Sequence, residues 1–127
     1  MESMRAFVLD IIKRGRPQFV VLSAGEVVGG CDVLPKDRPI YAHAGVLGMG
    51  LMPPFRGQGI GTDLIRRSLD AARAFGFHRV ELTVRENNAG AVQLYKKTGF
   101  EIEGLLRDAV QIDGVYENVL LMAMLFE

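Results

Sequence analysis

The sequence predicts a mixed α/β fold in which helices pack on the faces of a sheet. Helical and extended segments follow one another as a helix, three strands, a helix, a strand, a helix and two strands. The second helix, over 59–75, has a long apolar face, which is typical of a helix packed on a sheet. The last two strands are joined around Asp113-Gly114, a favoured hairpin turn.

The N-terminal segment carries the first predicted helix. Its apolar residues recur at helical spacing over 1–14, so a helix there would bury one face. The glycine and proline within 15–17 end it, because neither continues a helix well. The residues of this apolar face are Met4, Phe7, Val8, Ile11 and Ile12.

Three strands are expected next. The runs 18–23 and 27–34 are apolar and β-branched, and a short turn containing Gly25 joins them as a hairpin. A third extended run, 41–52, contains three glycines, which are unusual inside a strand. They indicate a bulge or the close approach of a ligand to the backbone. These glycines are Gly45, Gly48 and Gly50.

The helix over 59–75 is the clearest one in the chain, and Gly76 ends it. A short strand at 79–84 and a short helix at 88–98 follow, before the two long strands of the final hairpin, 100–111 and 115–125. The apolar face of the clearest helix consists of Ile60, Leu64, Ile65, Leu69, Ala72 and Phe75.

Composition limits the functions to consider. A chain of 127 residues predicts one domain, 1–127. Fifteen lysines and arginines balance fifteen aspartates and glutamates, which argues against a nucleic-acid partner held by bulk charge. With one cysteine, Cys31, and only two histidines, neither a disulfide framework nor a zinc site is expected. The sequence shows neither a secretory signal nor a membrane-spanning apolar run, so no membrane partner is expected and the cytoplasm is the expected compartment.

A glycine-rich turn over 53–62 joins the third strand to the amphipathic helix. A helix N-terminus leaves backbone N–H groups unpaired and carries a partial positive charge, so glycines there let an anion approach the donors. A nucleotide-binding P-loop needs Lys-Ser or Lys-Thr after the last glycine, but Thr62-Asp63 follows. A Rossmann turn needs two residues between its second and third glycines, and Ile60 alone separates Gly59 from Gly61.

The spacing of Arg56, Gly59 and Gly61 fits Gln/Arg-x-x-Gly-x-Gly/Ala. With an extended run before it and a helix after it, this turn resembles the pyrophosphate loop of the GNAT superfamily of acyl-CoA N-acyltransferases. The resemblance implies a GNAT-like, mostly antiparallel central sheet flanked by helices, and acetyl-CoA as the acyl donor. The loop residues that would bind it are Arg56, Gly57, Gln58, Gly59, Ile60, Gly61 and Thr62.

A second segment, 88–100, is similar to the other signature of this family: an Asn, an Ala three positions on, a Tyr seven on, and Gly-Phe at the end. Asn87 or Asn88 is placed to cap the helix, and Gly99 is placed to end it. By resemblance, Asn88 also hydrogen-bonds the pantetheine arm or nearby backbone. Tyr95 lies on the inner helical face, where a core tyrosine bonded to backbone is the alternative to a catalytic one. The resemblance makes Tyr95 the general acid for the departing thiolate.

The mechanism implied by the resemblance is direct attack of a primary amine on acyl-CoA in a ternary complex. The end of the third strand would pair with pantetheine through Leu51 and Met52, and the Leu51 amide would polarise the thioester carbonyl. The amine must be deprotonated, because an amine with a pKa near 10.4 is almost fully charged at neutral pH. Glu81 and His43 are the two candidate bases, and each has a structural role as the alternative.

The chain departs from the family at its start. Family members usually begin with a further strand and helix, and this chain begins almost directly in the helix predicted over 1–14. The sheet is therefore expected to lack the usual first strand, and an uncovered edge favours a homodimer.

Three functions stay open: an N-acetyltransferase acting on a small-molecule amine or a peptide N-terminus, a non-catalytic acyl-CoA-binding or regulatory module, and a nucleotide-binding protein.

Overall fold

The computed structural model describes residues 7–10 and 17–127, with side-chain surroundings from residue 17 onward. The described part forms a seven-stranded sheet in the order β1-β2-β3-β4-β5-β7-β6. Every neighbouring pair is antiparallel except β4 and β5, which are parallel. The elements are β1 Phe7–Asp10, β2 Gln18–Ser23, β3 Glu26–Pro35, β4 Ala44–Leu51, α1 Ile60–Phe75, β5 Arg79–Arg85, α2 Ala89–Lys97, β6 Glu101–Ile112 and β7 Val115–Leu125.

The start of the chain differs from its prediction. Phe7–Asp10 forms strand β1, which pairs antiparallel with β2, so the helix predicted over 1–14 is wrong at these residues. The remainder of that predicted helix lies outside the described residues. A short apolar run fits a helix or a strand equally well, and pairing with the neighbouring strand decides between them. The expected lack of a first strand is corrected too, because β1 stands at the edge of the sheet beside β2.

The remaining elements confirm the predicted fold class. Helix α1 ends where Gly76 takes a left-handed conformation at φ 110°, as its sequence position predicts. The predicted extended run 41–52 is shorter in the structure, because a 3₁₀ helix occupies Pro39–Tyr41 and β4 begins at Ala44. The final hairpin turns at Asp113 and Gly114, both with positive φ, which is the conformation that a tight two-residue hairpin requires.

The glycines of β4 differ in what surrounds the position of a Cβ atom. No register shift interrupts the pairing of β3 with β4, so the predicted bulge is absent from this pair of described strands. A Cβ at Gly45 would lie 2.5 Å from a Val33 methyl group, so this glycine is required by close packing. A Cβ at Gly50 would meet nothing within 4 Å. Of Gly45 and Gly50, Gly50 is therefore the position that is open to an approaching molecule.

Both described α-helices pack on one face of the sheet. The buried residues Leu64, Ile65 and Leu69 of α1 contact the inner residues of the strands. Leu94 of α2 comes within 3.2 Å of the position that a Cβ on Gly61 would occupy, so α2 lies beside the start of α1. The connection β4–α1–β5 joins two parallel strands.

Candidate active site

The two parallel strands separate soon after they meet. Pairing of β4 with β5 covers three residue pairs and ends at Val46 with Glu81. Beyond that point β4 continues to Leu51 and β5 to Arg85, each still paired with its outer neighbour, β3 or β7. Among the described residues, no backbone pairing joins 47–51 of β4 to 82–85 of β5. The two strands therefore enclose a wedge-shaped gap in the sheet.

Alternation along β4 decides which backbone groups face this gap. The Met52 amide donates to the Val28 carbonyl at 2.9 Å, and the Ala44 carbonyl accepts from Lys36, so these even-numbered positions face β3. Because backbone groups alternate between the two edges of a strand, the amides of Met49 and Leu51 face the gap. Leu51 is placed as the sequence predicts, whereas the Met52 amide is directed to β3 and is not available to a ligand in the gap.

The turn after β4 leaves a row of backbone amides without protein partners. Within the described chain, the amides of residues 57–62 donate no hydrogen bond, and the first helical bond runs from the Asp63 amide to the Gly59 carbonyl at 3.1 Å. Helix α1 has no side-chain cap. Gly57 and Gly59 adopt φ values of 75° and 83°, and a Cβ on either would meet nothing within 4 Å. The arrangement suits an anion that reaches the donors from the open side.

The polar side chains of the turn fold back and leave these amides accessible. Arg56 Nε donates to the Leu51 carbonyl at 2.8 Å, which ties the turn to the end of β4. Gln58 Nε2 donates to the Pro54 carbonyl at 2.8 Å. In the described chain the terminal nitrogens of Arg56 make no further bond, so their charge is available beside the turn. The side chains add one positive charge and no obstruction.

Tyr95 projects from α2 into the layer between the helices and the sheet. Its ring packs edge-on against Phe100 with ring centroids 5.8 Å apart, and the residue is partly buried. The hydroxyl makes no hydrogen bond with any described residue, so no backbone carbonyl among these residues holds it. Burial raises the pKa of the Tyr95 phenol, and the nearby Cys31 thiol raises it further. The hydroxyl therefore stays protonated at neutral pH and has a proton to donate.

Asn88 caps α2, as predicted. Its Oδ1 accepts from the Ala91 amide at 3.2 Å, and its own amide donates to the Arg85 carbonyl. The cap fixes the start of the helix that carries Tyr95. The side-chain Nδ2 makes no hydrogen bond with a described residue, so a role toward a ligand stays a prediction.

The two candidate bases lie in different settings. Glu81 is held by Lys36, whose Nζ is 2.5 Å from Oε1, and by Arg79, whose Nη2 is 2.9 Å from Oε2. Burial raises the pKa of Glu81, but the hydrogen bonds from Lys36 and Arg79 outweigh that effect and lower it. A carboxylate with both oxygens engaged and a lowered pKa is a weak proton acceptor.

His43 lies just before β4, at the end of the strand away from the gap. Its carbonyl accepts from the amides of His78 and Arg79. The seven residue steps from Ala44 to Leu51 span about 23 Å at the rise of a strand. The structure therefore does not bring His43 together with Leu51 or with the glycine-rich turn.

The comparisons with known proteins agree with this geometry. Residues 2–100 match the family model described as "Acetyltransferase (GNAT) family". The chain belongs to the GNAT acetyltransferase family. The resemblance inferred from the glycine-rich turn and the segment at 88–100 is thereby confirmed. None of the described helices combines the length and the apolar character that a bilayer crossing needs.

Relatives of this GNAT chain include characterised and solved proteins. It is 32% identical over 110 residues to the L-amino acid N-acetyltransferase AaaT of Escherichia coli. The match covers 86% of this chain and 68% of that protein. A GNAT acetyltransferase from Streptococcus pneumoniae superposes with a TM-score of 0.84 at 28% identity, over 90% of this chain and 69% of that one. The yncA acetyltransferase of Salmonella typhimurium, solved with acetyl-CoA, has a TM-score of 0.84 at 21% identity, over 89% of this chain and 66% of that one.

The length of the match varies among relatives. This GNAT chain spans 26%, 44% and 53% of three further curated relatives, which is less than two thirds of their length. The site described above lies within the matched part, because the glycine-rich turn and the segment 88–100 both fall inside residues 2–100.

Sequence reasoning placed the donor on β4 at Leu51 and did not single out Met49. The Met49 amide faces the same gap two positions earlier, and period-two alternation from Leu51 is the signal that identifies it. The Met49 side chain also reaches the start of α1, with its Cε 3.3 Å from the position of a Cβ on Gly61. Met49 thus contacts both the gap and the glycine-rich turn.

Proposed function

We propose that this protein is an N-acetyltransferase that moves the acetyl group of acetyl-CoA to a primary amine of a small molecule or a peptide N-terminus. The observation that carries the proposal is the row of backbone amides at 57–62, which donate to no described residue, with open space at the Cβ positions of Gly57 and Gly59. Amides at a helix N-terminus bind phosphate and pyrophosphate groups, and CoA contains a pyrophosphate. Family membership and the acetyl-CoA complex of the Salmonella relative support the same donor.

The gap between β4 and β5 suits the rest of the donor. Pantetheine contains amides, and the unpaired edge of β4 offers the amides of Met49 and Leu51 as donors. When bound, acetyl-CoA supplies an acyl group activated as a thioester. A fixed amide on β4 stabilises the negative charge that develops on the carbonyl oxygen. Ligand binding would thus continue the row of contacts from the turn along β4.

Proton transfer in this mechanism assigns a role to Tyr95. The nitrogen lone pair of the neutral amine attacks the thioester carbon, the C–S bond breaks, and the electron pair of that bond leaves on sulfur. Tyr95 donates its phenolic proton to this sulfur and regains one from the nitrogen that has become an amide, directly or through water. The raised pKa of Tyr95 keeps this proton in place until the thiolate forms.

Glu81 and His43 have structural roles in this proposal. Glu81 joins Lys36 to Arg79, and Arg79 also forms a two-bond ion pair with Glu103 on β6. This network holds the end of the parallel pair just before the gap opens. The ammonium form of the acceptor loses a proton to water, and the resulting neutral amine attacks.

The proposal also covers the setting of the protein. We take 1–127 as one catalytic domain. Cys31 is buried, and burial raises the pKa of its thiol to about 11, so it stays protonated at neutral pH. We propose the cytoplasm as the compartment, where a single cysteine is kept reduced. The outer strand β6 has an exposed edge with Ile102, Leu105 and Leu106 all more than 40% exposed, which favours a homodimer.

Two measurements test the proposed function. Calorimetry compares the binding of CoA with that of ATP, and we expect CoA to bind more tightly because the turn lacks the lysine of a P-loop. Release of free thiol from acetyl-CoA is then followed with a panel of primary amines, beginning with L-amino acids, the substrate class named for the Escherichia coli relative. Thiol release that depends on one class of amine supports the proposal. Binding of CoA without thiol release from any amine would instead indicate a binding module.

A further inference from the structure

A cavity of about 370 Å³ lies over β2, β3 and β4. Most of its lining residues occupy positions that alternate with the core residues of these strands, so it opens on the face of the sheet opposite α1. The core residues Phe19 and Cys31, and Met49 packed against them, also contribute to the lining. The volume is in the range of small-molecule sites. The lining includes Gln18, Val20, Gly30, Asp32, Gly48 and Gly50.

Asp32 is the only described residue lining this cavity that carries a formal charge. Asp32 forms no ion pair and no hydrogen bond with any described residue, whereas Glu81 on the neighbouring part of the sheet is held by two cations. Oδ1 of Asp32 lies 3.2 Å from the position that a Cβ on Gly48 would occupy, so the missing side chain of Gly48 leaves room for this carboxylate. An unpaired carboxylate in a cavity favours a cation as its ligand.

The cavity shares strand β4 with the gap that the proposed function uses. Gly48 and Gly50 form part of the cavity floor, and they alternate with Met49 and Leu51, whose amides face the gap. A molecule above these glycines is separated from the gap by the width of a single strand, about 5 Å. The cavity and the gap therefore lie next to each other along β4.

We propose that this cavity receives the amine acceptor and that Asp32 binds its ammonium group. The inference rests on the proposed function and assigns the substrate class to small molecules, or the first residues of a peptide, with a primary amine that is cationic at neutral pH. Asp32 holds the ammonium form near β4. The amine then loses one proton to water, and its lone pair becomes available for attack.

Replacing Asp32 by asparagine tests the charge while keeping the shape of the side chain. We expect Asp32→Asn to raise the KM for the amine by on the order of tenfold or more, since a charge-assisted hydrogen bond is lost. The dissociation constant for CoA, measured by calorimetry, is expected to stay within twofold of the unmodified protein. The matched control is Asp37→Asn, which makes the same change of charge at an exposed position outside the cavity.

A second variant tests the space instead of the charge. Gly50→Ala adds a methyl group that meets nothing within 4 Å, at a position without positive φ, so we expect the protein to fold normally. The methyl group enters the cavity floor, and we expect a higher KM for the amine with unchanged binding of CoA.

The outcomes separate this inference from the proposed function. If the unmodified protein releases no thiol with any amine, the proposed function itself fails. If it releases thiol and Asp32→Asn keeps the KM of the unmodified protein, the role of Asp32 is wrong. A loss of CoA affinity in Asp32→Asn that matches the loss of activity would also overturn the inference, because it would indicate a structural role for this carboxylate.

Discussion

The two helices of this protein begin in opposite ways. Helix α2 starts with a side-chain cap, in which Asn88 Oδ1 accepts from the Ala91 amide. Helix α1 starts after Gly59, with no side-chain cap and with the amides of 57–62 donating to no described residue. One N-terminus is satisfied by its own sequence, and the other keeps amides that we propose pair with a ligand.

The two helix starts differ in the groups that they expose: α1 exposes backbone amides, and α2 positions a side chain. Free amides at a helix start cost stability unless something pairs with them, so α1 carries that cost where an anion is expected. Helix α2 instead needs a fixed position, because it presents Tyr95 to the same region. We infer that α1 contributes backbone donors and α2 contributes a reactive side chain.

The largest expected effect comes from adding a carboxylate at the start of α1. Gly59→Glu places a negative charge and a side chain at φ 83°, beside the proposed pyrophosphate site. We expect the affinity for CoA, measured by calorimetry, to fall about a hundredfold or more through repulsion, bulk and backbone strain. Gly59→Ala retains most of the strain without the charge, and we expect a smaller loss.

The matched control lies in the first turn of α2. Gly90→Glu makes the same substitution at a position where a Cβ meets nothing within 4 Å. We expect CoA affinity within about twofold of the unmodified protein, since an acidic residue in a first turn is favourable and no anion site is proposed there. Equal losses in Gly59→Glu and Gly90→Glu would contradict the contrast between the two helix starts.

An intermediate effect is expected from the side chain that α2 presents. Tyr95→Phe keeps the ring contact with Phe100 and removes the hydroxyl. We expect kcat for thiol release to fall about tenfold or more, with little change in CoA affinity, because only proton donation is lost. Tyr116→Phe, at an exposed position on β7, is the control. An unchanged kcat in Tyr95→Phe would require a mechanism without this acid.

The smallest expected effect is the loss of the cap on α2. Asn88→Ala removes the acceptor for the Ala91 amide, and we expect the free energy of unfolding to fall by about 1 kcal/mol in urea denaturation. Asn87→Ala serves as the control, because Asn87 makes only a 3.4 Å contact with Glu117 at the surface. If the two variants are equally stable, the Asn88 side chain is not an effective cap.

Much of the fold and part of the site could be predicted from short stretches of sequence. Strand β2 and helix α1 lie where their periodicity places them, since each segment encodes its own pattern of buried residues. The helix predicted over 1–14 failed at Phe7–Asp10 because its short apolar run also suits a strand, and pairing with β2 is not local information.

The sequence by itself determined the conformation of the glycine-rich turn and the cap, because Gly57, Gly59 and Asn88 act on backbone groups within a few residues of themselves. Only the tertiary structure decided which carboxylates are free. Glu81 is held by Lys36 and Arg79, whereas Asp32 lies opposite Gly48 and pairs with no residue of the described part of the chain. The end of β4–β5 pairing at Val46 is likewise a tertiary property, because the separation of two strands depends on residues that are distant along the chain.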